Sequence, residues 1–178
     1  MITLQQTFHH ESISDEKLNK SLNDIVSGNI LLSMASIKDG NASWINTAYF
    51  GYSLKLALYF LSPPSAQHSQ NIVTNGAVAV SIFDSRQLPT NQKRGLQLFG
   101  VCRRAVGLEV AEGLDVYAER FPSMSTVIKS PEDFDKGILE SKLYTILPHE
   151  IKIFDEEIFG NEKWITVSLE GWEEHPLD

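Results

Sequence analysis

Apolar residues recur along this chain at two periods, and the switches between them mark out its elements. Across residues 14–28, Leu18, Leu22, Ile25 and Val26 return at helical spacing. Ser14 suits the N-cap of that helix, Asp15 and Glu16 suit its electropositive first turn, and Gly28 suits its end. From Ile30 the pattern becomes strand-like. Ile30–Ile37 predicts a strand, and Lys38-Asp39-Gly40-Asn41 predicts a hairpin turn, because Asp-Gly accepts positive φ at both central positions. Ala42–Phe50 is then the return strand. On it Trp44, Asn46, Ala48 and Phe50 share one face, and Ser43, Ile45, Thr47 and Tyr49 share the other. Gly51-Tyr52-Ser53 predicts another turn and Lys55–Leu61 a third strand, which together read as an antiparallel meander.

Pro63-Pro64 then stops the ladder, since neither residue has an N–H to give it. Ser65 suits the N-cap of a helix of about ten residues that ends near Asn75-Gly76, with Ile72 and Val73 as its apolar face. Ala77–Phe83 is rich in Val and Ile and predicts a buried strand. A polar loop, Asp84–Lys93, leads into a strand over Arg94–Val106, where Gly100 suggests a bulge or a close backbone approach. Val110–Phe121 carries Leu114, Tyr117, Ala118 and Phe121 on one helical face. Pro131-Glu132-Asp133 resembles a helix start, with Phe134 and Ile138 spaced for a short amphipathic turn. Lys142–Leu147 and Glu150–Phe154 form one strand interrupted at Pro148, and Trp164–Leu169 is the last strand. An acidic tail around Trp172 follows.

Six or seven mostly antiparallel strands with about three helices predict a mainly β fold, a small closed or nearly closed barrel with peripheral helices. The reading is one domain over residues 1–178, with the N-terminal helix at 14–28 and the barrel at about 30–169.

Composition narrows the function. The formal charge of −8 leaves no excess of Lys and Arg for a nucleic acid or an acidic membrane, though a small phosphorylated ligand needs only a few local donors. The single cysteine, Cys102, has no partner for an internal disulfide and reads as a buried strand residue. No apolar run approaches the roughly 18 residues of a membrane span, and no secretion signal opens the chain, so the expectation is a cytoplasmic protein. His9-His10 reads as a surface pair rather than a metal site. His149-Glu150 reads as a cap on the break at Pro148. The carboxylate pairs Glu112/Asp115 and Asp155/Glu156 read as solvated faces. No nucleophile elbow, phosphate-binding Gly-Lys loop or dinucleotide fingerprint is present.

Five segments together resemble the pyridoxamine 5′-phosphate oxidase-like family, whose members share an FMN-binding split barrel. They are ILLSMASI with its DGN turn, LYFLS with a following helix ending in NI, AVAVSIFD, RGLQLFG and LYTILPHEIKIFD, and they cover about Ile30 to Asp155. The resemblance implies a homodimer with FMN in a cleft between subunits. It implies a phosphate site made by Ser62 at the strand end and by the triplet Ala66-Gln67-His68 opening the crossover helix. That triplet is uncharged at its first two positions, where the family carries a Ser-Arg-Lys type sequence, so Lys93 and Arg94 are the candidates for compensating charge. Asn46 and Thr47 match the segment beside the flavin ring, and Gln97 matches a polar position that can face it. The implied cofactor-binding set is therefore Asn46, Thr47, Ser62, Gln67, His68 and Gln97. The implied activity is an FMN-dependent oxidation–reduction of an unknown small substrate, in which the flavin does the chemistry and no side chain is named as catalytic. The alternative is a non-catalytic carrier of flavin or another planar cofactor, or a split barrel without flavin.

Overall fold

The structure is a computed structural model that describes residues 15–123, 133 and 140–169. The first helix, α1 (Asp15–Gly28), forms where the 3.6-residue period predicts it and buries Leu18, Leu22, Ile25 and Val26. The hairpin β1 (Leu31–Lys38) and β2 (Ala42–Tyr49) follows. Its turn has φ of +51° at Asp39 and +84° at Gly40, the conformation that Asp-Gly admits.

The expected meander does not form. Gly51–Tyr52 is a short strand, β3, rather than a plain turn, and it pairs with β4 (Leu58–Ser62). Residues 53–57 make the connection, where Ser53 N–H donates to Ala57 O at 2.9 Å and Leu56 has φ of +66°. β4 then crosses the molecule to pair with β7 (Lys142–Asp155), not with β2. The reason is visible in LYFLS. Leu58 and Phe60 enter the main core on one side, while Tyr59 enters a second cluster with Ala57, Ala105 and Leu143 on the other. A strand apolar on both faces needs cover on both, and β7 together with α3 (Leu108–Arg120) provides it.

Helix α2 (Gln67–Thr74) begins one residue later than Ser65 would place it. Its N-cap is Ala66, with no side-chain cap, while the Ser65 carbonyl accepts from Gln70 Nε2 at 3.3 Å. Its inner face is also not the expected one. Ile72 is buried, but Val73 is 82% exposed, and Ser69 and Asn71 take the inward positions. Beyond α2 come β5 (Ala77–Ile82), β6 (Arg94–Arg104), α3, β7, the single turn α4 (Glu156–Phe159) and β8 (Trp164–Ser168). Asp133 lies in a helix, and the rest of the predicted turn with Phe134 and Ile138 lies outside the described residues, as do His9-His10 and the tail with Trp172.

All pairings among the described strands are antiparallel, in the order β2-β1-β5-β6-β7-β4-β3, with β8 added beside β7. β2 and β4 approach each other without sharing a ladder, so the sheet curls into a nearly closed barrel. Alternate residues fill it: Met34, Val80, Leu98, Ile151 and Val167 lie inward from five successive strands. Each such side chain stabilises the fold by about 1.5–3 kcal/mol on burial.

Gly100 marks the bulge. The register shifts between Phe99 and Gly100, and β7 answers with the extra residue His149, so that Gly100 faces Pro148 and Phe99 faces Glu150. A Cβ at Gly100 would sit 2.3 Å from the Leu147 carbonyl oxygen, which no side chain could relieve. Pro148 falls in the interval between the β4-paired and β8-paired parts of β7, where no ladder needs its N–H. Cys102 is fully buried on β6, as expected, and burial pushes its thiol pKa up.

Candidate functional site

The six residues implied as cofactor ligands fall on two sides of the sheet. Ser62, Gln67 and His68 lie together at α2. Ser62 sits on the core-facing side of β4 with Leu58 and Phe60 and is 3% exposed. His68 Nε2 lies 2.7 Å from Ser62 Oγ, and Ser69 Oγ donates to Ser62 Oγ at 3.0 Å. On the next helical turn Gln67 Nε2 donates to Asn71 Oδ1 at 2.8 Å, and Asn71 Nδ2 donates to the buried Ser36 Oγ at 3.1 Å. Burial lowers the His68 pKa, so the ring is neutral at pH 7. The network satisfies itself, and it contains no cation.

Arg94 does not supply the missing charge. It stands at the end of β6 remote from α2, whose C-terminal neighbour Gly76 accepts from Cys102 N–H at 2.8 Å. There its guanidinium meets Asp155 Oδ2 at 3.0 Å and Asp24 Oδ2 at 3.2 Å. Asp155 is fully buried, accepts from Ser21 Oγ at 2.7 Å and caps α4 through Ile158 N–H at 3.3 Å. Glu156 is also buried. It accepts from Lys93 N–H at 2.9 Å and Glu162 N–H at 3.2 Å, and these two donors lower its pKa. The Asp155/Glu156 pair is thus a structural clasp, not a solvated face. Glu112 is likewise engaged, accepting from Tyr59 Oη at 2.5 Å.

Asn46 and Thr47, being successive strand residues, point to opposite faces. Asn46 lies inward beside Met34, and both polar atoms of its amide are buried with no partner. Thr47 is exposed on the outer face, 3.3 Å from Ser33 Oγ.

That outer face carries an arrangement the sequence did not announce. The register sets Thr47 opposite Ser33, Ser33 opposite Ser81, Ser81 opposite Gln97, and Gln97 opposite Lys152. Five strands thereby line up one polar row across the sheet. On one side of it lie Leu31, Tyr49, Phe83 and Trp164, all exposed, and Ile45 is exposed on the other. Two adjoining hollows follow the row. One, of about 440 Å³, is lined by Ser81, Phe83, Gln97, Phe154, Trp164 and Lys93. The other, of about 510 Å³, is lined by Ser33, Thr47, Leu31 and Arg86, and shares Ser81, Phe83, Asp84 and Ser85 with the first. The Asp84–Lys93 loop forms the rim and is braced: Gln87 Oε1 accepts from Arg94 N–H at 2.6 Å, and Gln87 Nε2 donates to Arg94 O at 2.8 Å. Arg86 binds Asp84 at 3.0 Å and lowers its pKa.

The fold has close counterparts among solved structures. A protein related to general stress protein 26 from Clostridium acetobutylicum, described as of the pyridoxinephosphate oxidase family, superposes with a TM-score of 0.62 at 12% identity, over 88% of this chain and 97% of its own. The fold is the split barrel of the pyridoxamine 5′-phosphate oxidase-like proteins. A heme binding protein from Mycobacterium smegmatis has the same split barrel, with a TM-score of 0.65 at 13% identity over 83% of this chain. The heme storage protein of Vibrio cholerae superposes with a TM-score of 0.54 at 14% identity, over 74% of this chain and 89% of its own. This chain spans 56% of the length of the mycobacterial protein. No family model and no curated protein matches the sequence.

The split barrel can be tested for fit to a flavin on its own residues. At α2, Ser62 is buried and already bonded to His68 and Ser69, so its hydroxyl is not open to a phosphate, and the one cation beside it in register is Lys142 on β7 rather than a residue of the helix. The ring does fit the outer row, where hydroxyls and the Gln97 amide offer donors and acceptors between apolar walls. Among the described residues lining the two hollows there is no His, Cys, Met or Tyr to ligate a heme iron.

Proposed function

We propose that this split barrel binds a planar cofactor of the flavin class across the outer polar row and uses it in the oxidation–reduction of a small molecule. The observation that carries the reading is the in-register row Thr47-Ser33-Ser81-Gln97, open to solvent and flanked by exposed aromatic side chains. Bound there, a flavin would supply the electron chemistry itself. The chain's part is to orient the ring's polar edge with the Gln97 amide and the Ser and Thr hydroxyls, and to exclude water with Phe83, Phe154 and Trp164. No His, Cys, Met or Tyr that could ligate a heme iron lines the hollows among the described residues, which favours a flavin over a heme.

The same reading includes a homodimer in the cytoplasm. Leu31, Ile45, Tyr49, Phe83, Leu88 and Trp164 leave an apolar face uncovered, and a second copy laid over it would close the groove. No helix among the described residues is long and apolar enough to cross a membrane.

Purified protein tests the reading. A flavin absorption band that survives desalting, or a melting temperature raised by added FMN, supports it. A colourless protein whose melting temperature FMN leaves unchanged refutes it. A second reading, a non-catalytic carrier of a planar cofactor, is favoured by the heme binding and heme storage proteins that share the split barrel. Anaerobic bleaching of the flavin by NADH or NADPH separates the two, because a carrier leaves the flavin oxidised.

A further inference from the structure

The outer groove has a charge asymmetry that its polar row does not explain. Four cations border it: Arg86, Lys93, Arg94 and Lys152. Arg94 is spent on Asp155 and Asp24, and Arg86 on Asp84. Lys93 and Lys152 have no carboxylate within 4.0 Å among the described residues. Both belong to one rim. Lys93 lines the hollow of about 440 Å³ together with Phe154 and Trp164, and the Lys152 ammonium lies 4.5 Å from the centre of the Trp164 ring. Trp164 is itself stacked on Phe154, with centroids 4.4 Å apart. An exposed cation–π contact contributes only about 0.5–1 kcal/mol, so it parks the ammonium without satisfying its charge. The molecule as a whole carries −8, and these two lysines beside an aromatic wall stand against that field: Lys93 acts on the buried Glu156 carboxylate at longer range, and neither ammonium is closed into an ion pair within 4.0 Å among the described residues.

We infer that Lys93 and Lys152 form the anion-recognising end of the groove, so that a planar ligand is held with its ring along Ser33-Ser81-Gln97 and its phosphate or other anionic group at the Trp164 rim. The inference rests on the outer-face reading proposed above. It assigns the ligand class more narrowly, as a planar heterocycle carrying an anionic group, and it locates that group on β7 and the adjoining loop, not at α2. The physical basis is charge complementarity. An ammonium near a phosphate makes a charge-assisted hydrogen bond about twice as strong as a neutral one. Lysine, a compact charge on a flexible stem, can leave an aromatic face for a phosphate at little cost.

The test compares FMN with riboflavin, which has the same ring without the phosphate, on the intact chain and on the double variant Lys93→Gln, Lys152→Gln. Affinities are read by quenching of flavin fluorescence at fixed ionic strength. The expected result is that the intact chain prefers FMN by roughly tenfold or more. The double variant should lose that preference while keeping its riboflavin affinity, which also shows that it is folded. Three results overturn the inference. Equal binding of both flavins by the intact chain means that no anion site exists. An FMN preference that survives in the double variant means that the phosphate is held elsewhere. Binding of neither flavin refutes the flavin reading and this inference with it, and so is distinguishable from the other two.

Discussion

The split barrel has two polar regions built from the same kinds of residue, and they differ in what their polar atoms still have to give. At α2, Ser62, Gln67, His68, Ser69, Asn71 and Ser36 bond to one another inside the protein. On the outer face, Ser33, Thr47, Ser81 and Gln97 stand in a row along two open hollows. The first region holds α2 against β1 and β4. The second has donors and acceptors available to a ligand. Residue type alone does not distinguish them, whereas burial and saturation do. The cations divide in the same way. The Arg94 guanidinium is closed into ion pairs, and the Lys93 and Lys152 ammonium groups make none within 4.0 Å among the described residues.

The largest expected effect tests that division of cations. Arg94→Met leaves the fully buried Asp155 carboxylate with only Ser21 and a helix-cap N–H, and should cost about 3–5 kcal/mol in urea unfolding. Lys152→Gln should lie within about 0.5 kcal/mol of the parent, since its ammonium is not paired with a carboxylate. Equal costs for the two would erase the distinction.

Next in size is a contrast of serines. Ser62→Ala strands His68 Nε2 and Ser69 Oγ in a buried site and should destabilise by about 1–3 kcal/mol. Ser81→Ala on the outer row should change stability by less than about 0.5 kcal/mol. Thermal melts of the two proteins check this.

A third, smaller effect is set by pH. Burial lowers the His68 pKa in the folded state, so the unfolded chain binds the proton more readily. The stability due to the neutral ring is fully present above the unfolded value of about 6.5, and it is lost as pH falls through the folded value. Urea midpoints should therefore decline on acidification below about pH 6.5, and the decline should shrink in His68→Asn. An unchanged slope in that variant would remove His68 from the explanation.

Asn46 offers the smallest test, and it bears on which side of the sheet meets a ligand. Its amide is buried and unpartnered on the inner face, so Asn46→Leu should be neutral or stabilising by about 1 kcal/mol. It should also leave ligand affinity unchanged, and a loss of affinity would bring a ligand to the inner face.

Much of the barrel was legible in the sequence, because its signals are local. The Asp39-Gly40 turn, the helix at 15–28 and the bulge at Gly100 each follow from residues within a few positions. The placement of β4 was not legible as a meander partner, since adjacency in sequence favours the nearest strand. Only the two-sided apolar character of Leu58, Tyr59 and Phe60 hinted that it had to be covered on both faces. The roles of Asp155 and Glu156 were hidden for a related reason. Their partners, Ser21, Arg94 and Lys93, come from distant parts of the chain.

The outer row was hidden differently. Ser33, Thr47, Ser81, Gln97 and Lys152 are ordinary residues at the outward positions of their own strands. They become a row only through cross-strand register, which a single sequence does not print. Alternation did supply part of the signal, for it had already separated Thr47 from Asn46. What it lacked was the pairing that sets Ser33 between Thr47 and Ser81.

The most direct test of the outer-face account is an FMN titration of three proteins: the parent, Ser81→Phe, which fills the seam shared by both hollows, and Ser62→Ala, which opens the inner network. The account predicts that Ser81→Phe weakens FMN binding by at least about tenfold, while folded Ser62→Ala binds as the parent does. Unaltered binding in Ser81→Phe with lost binding in Ser62→Ala would contradict it and return the ligand to α2.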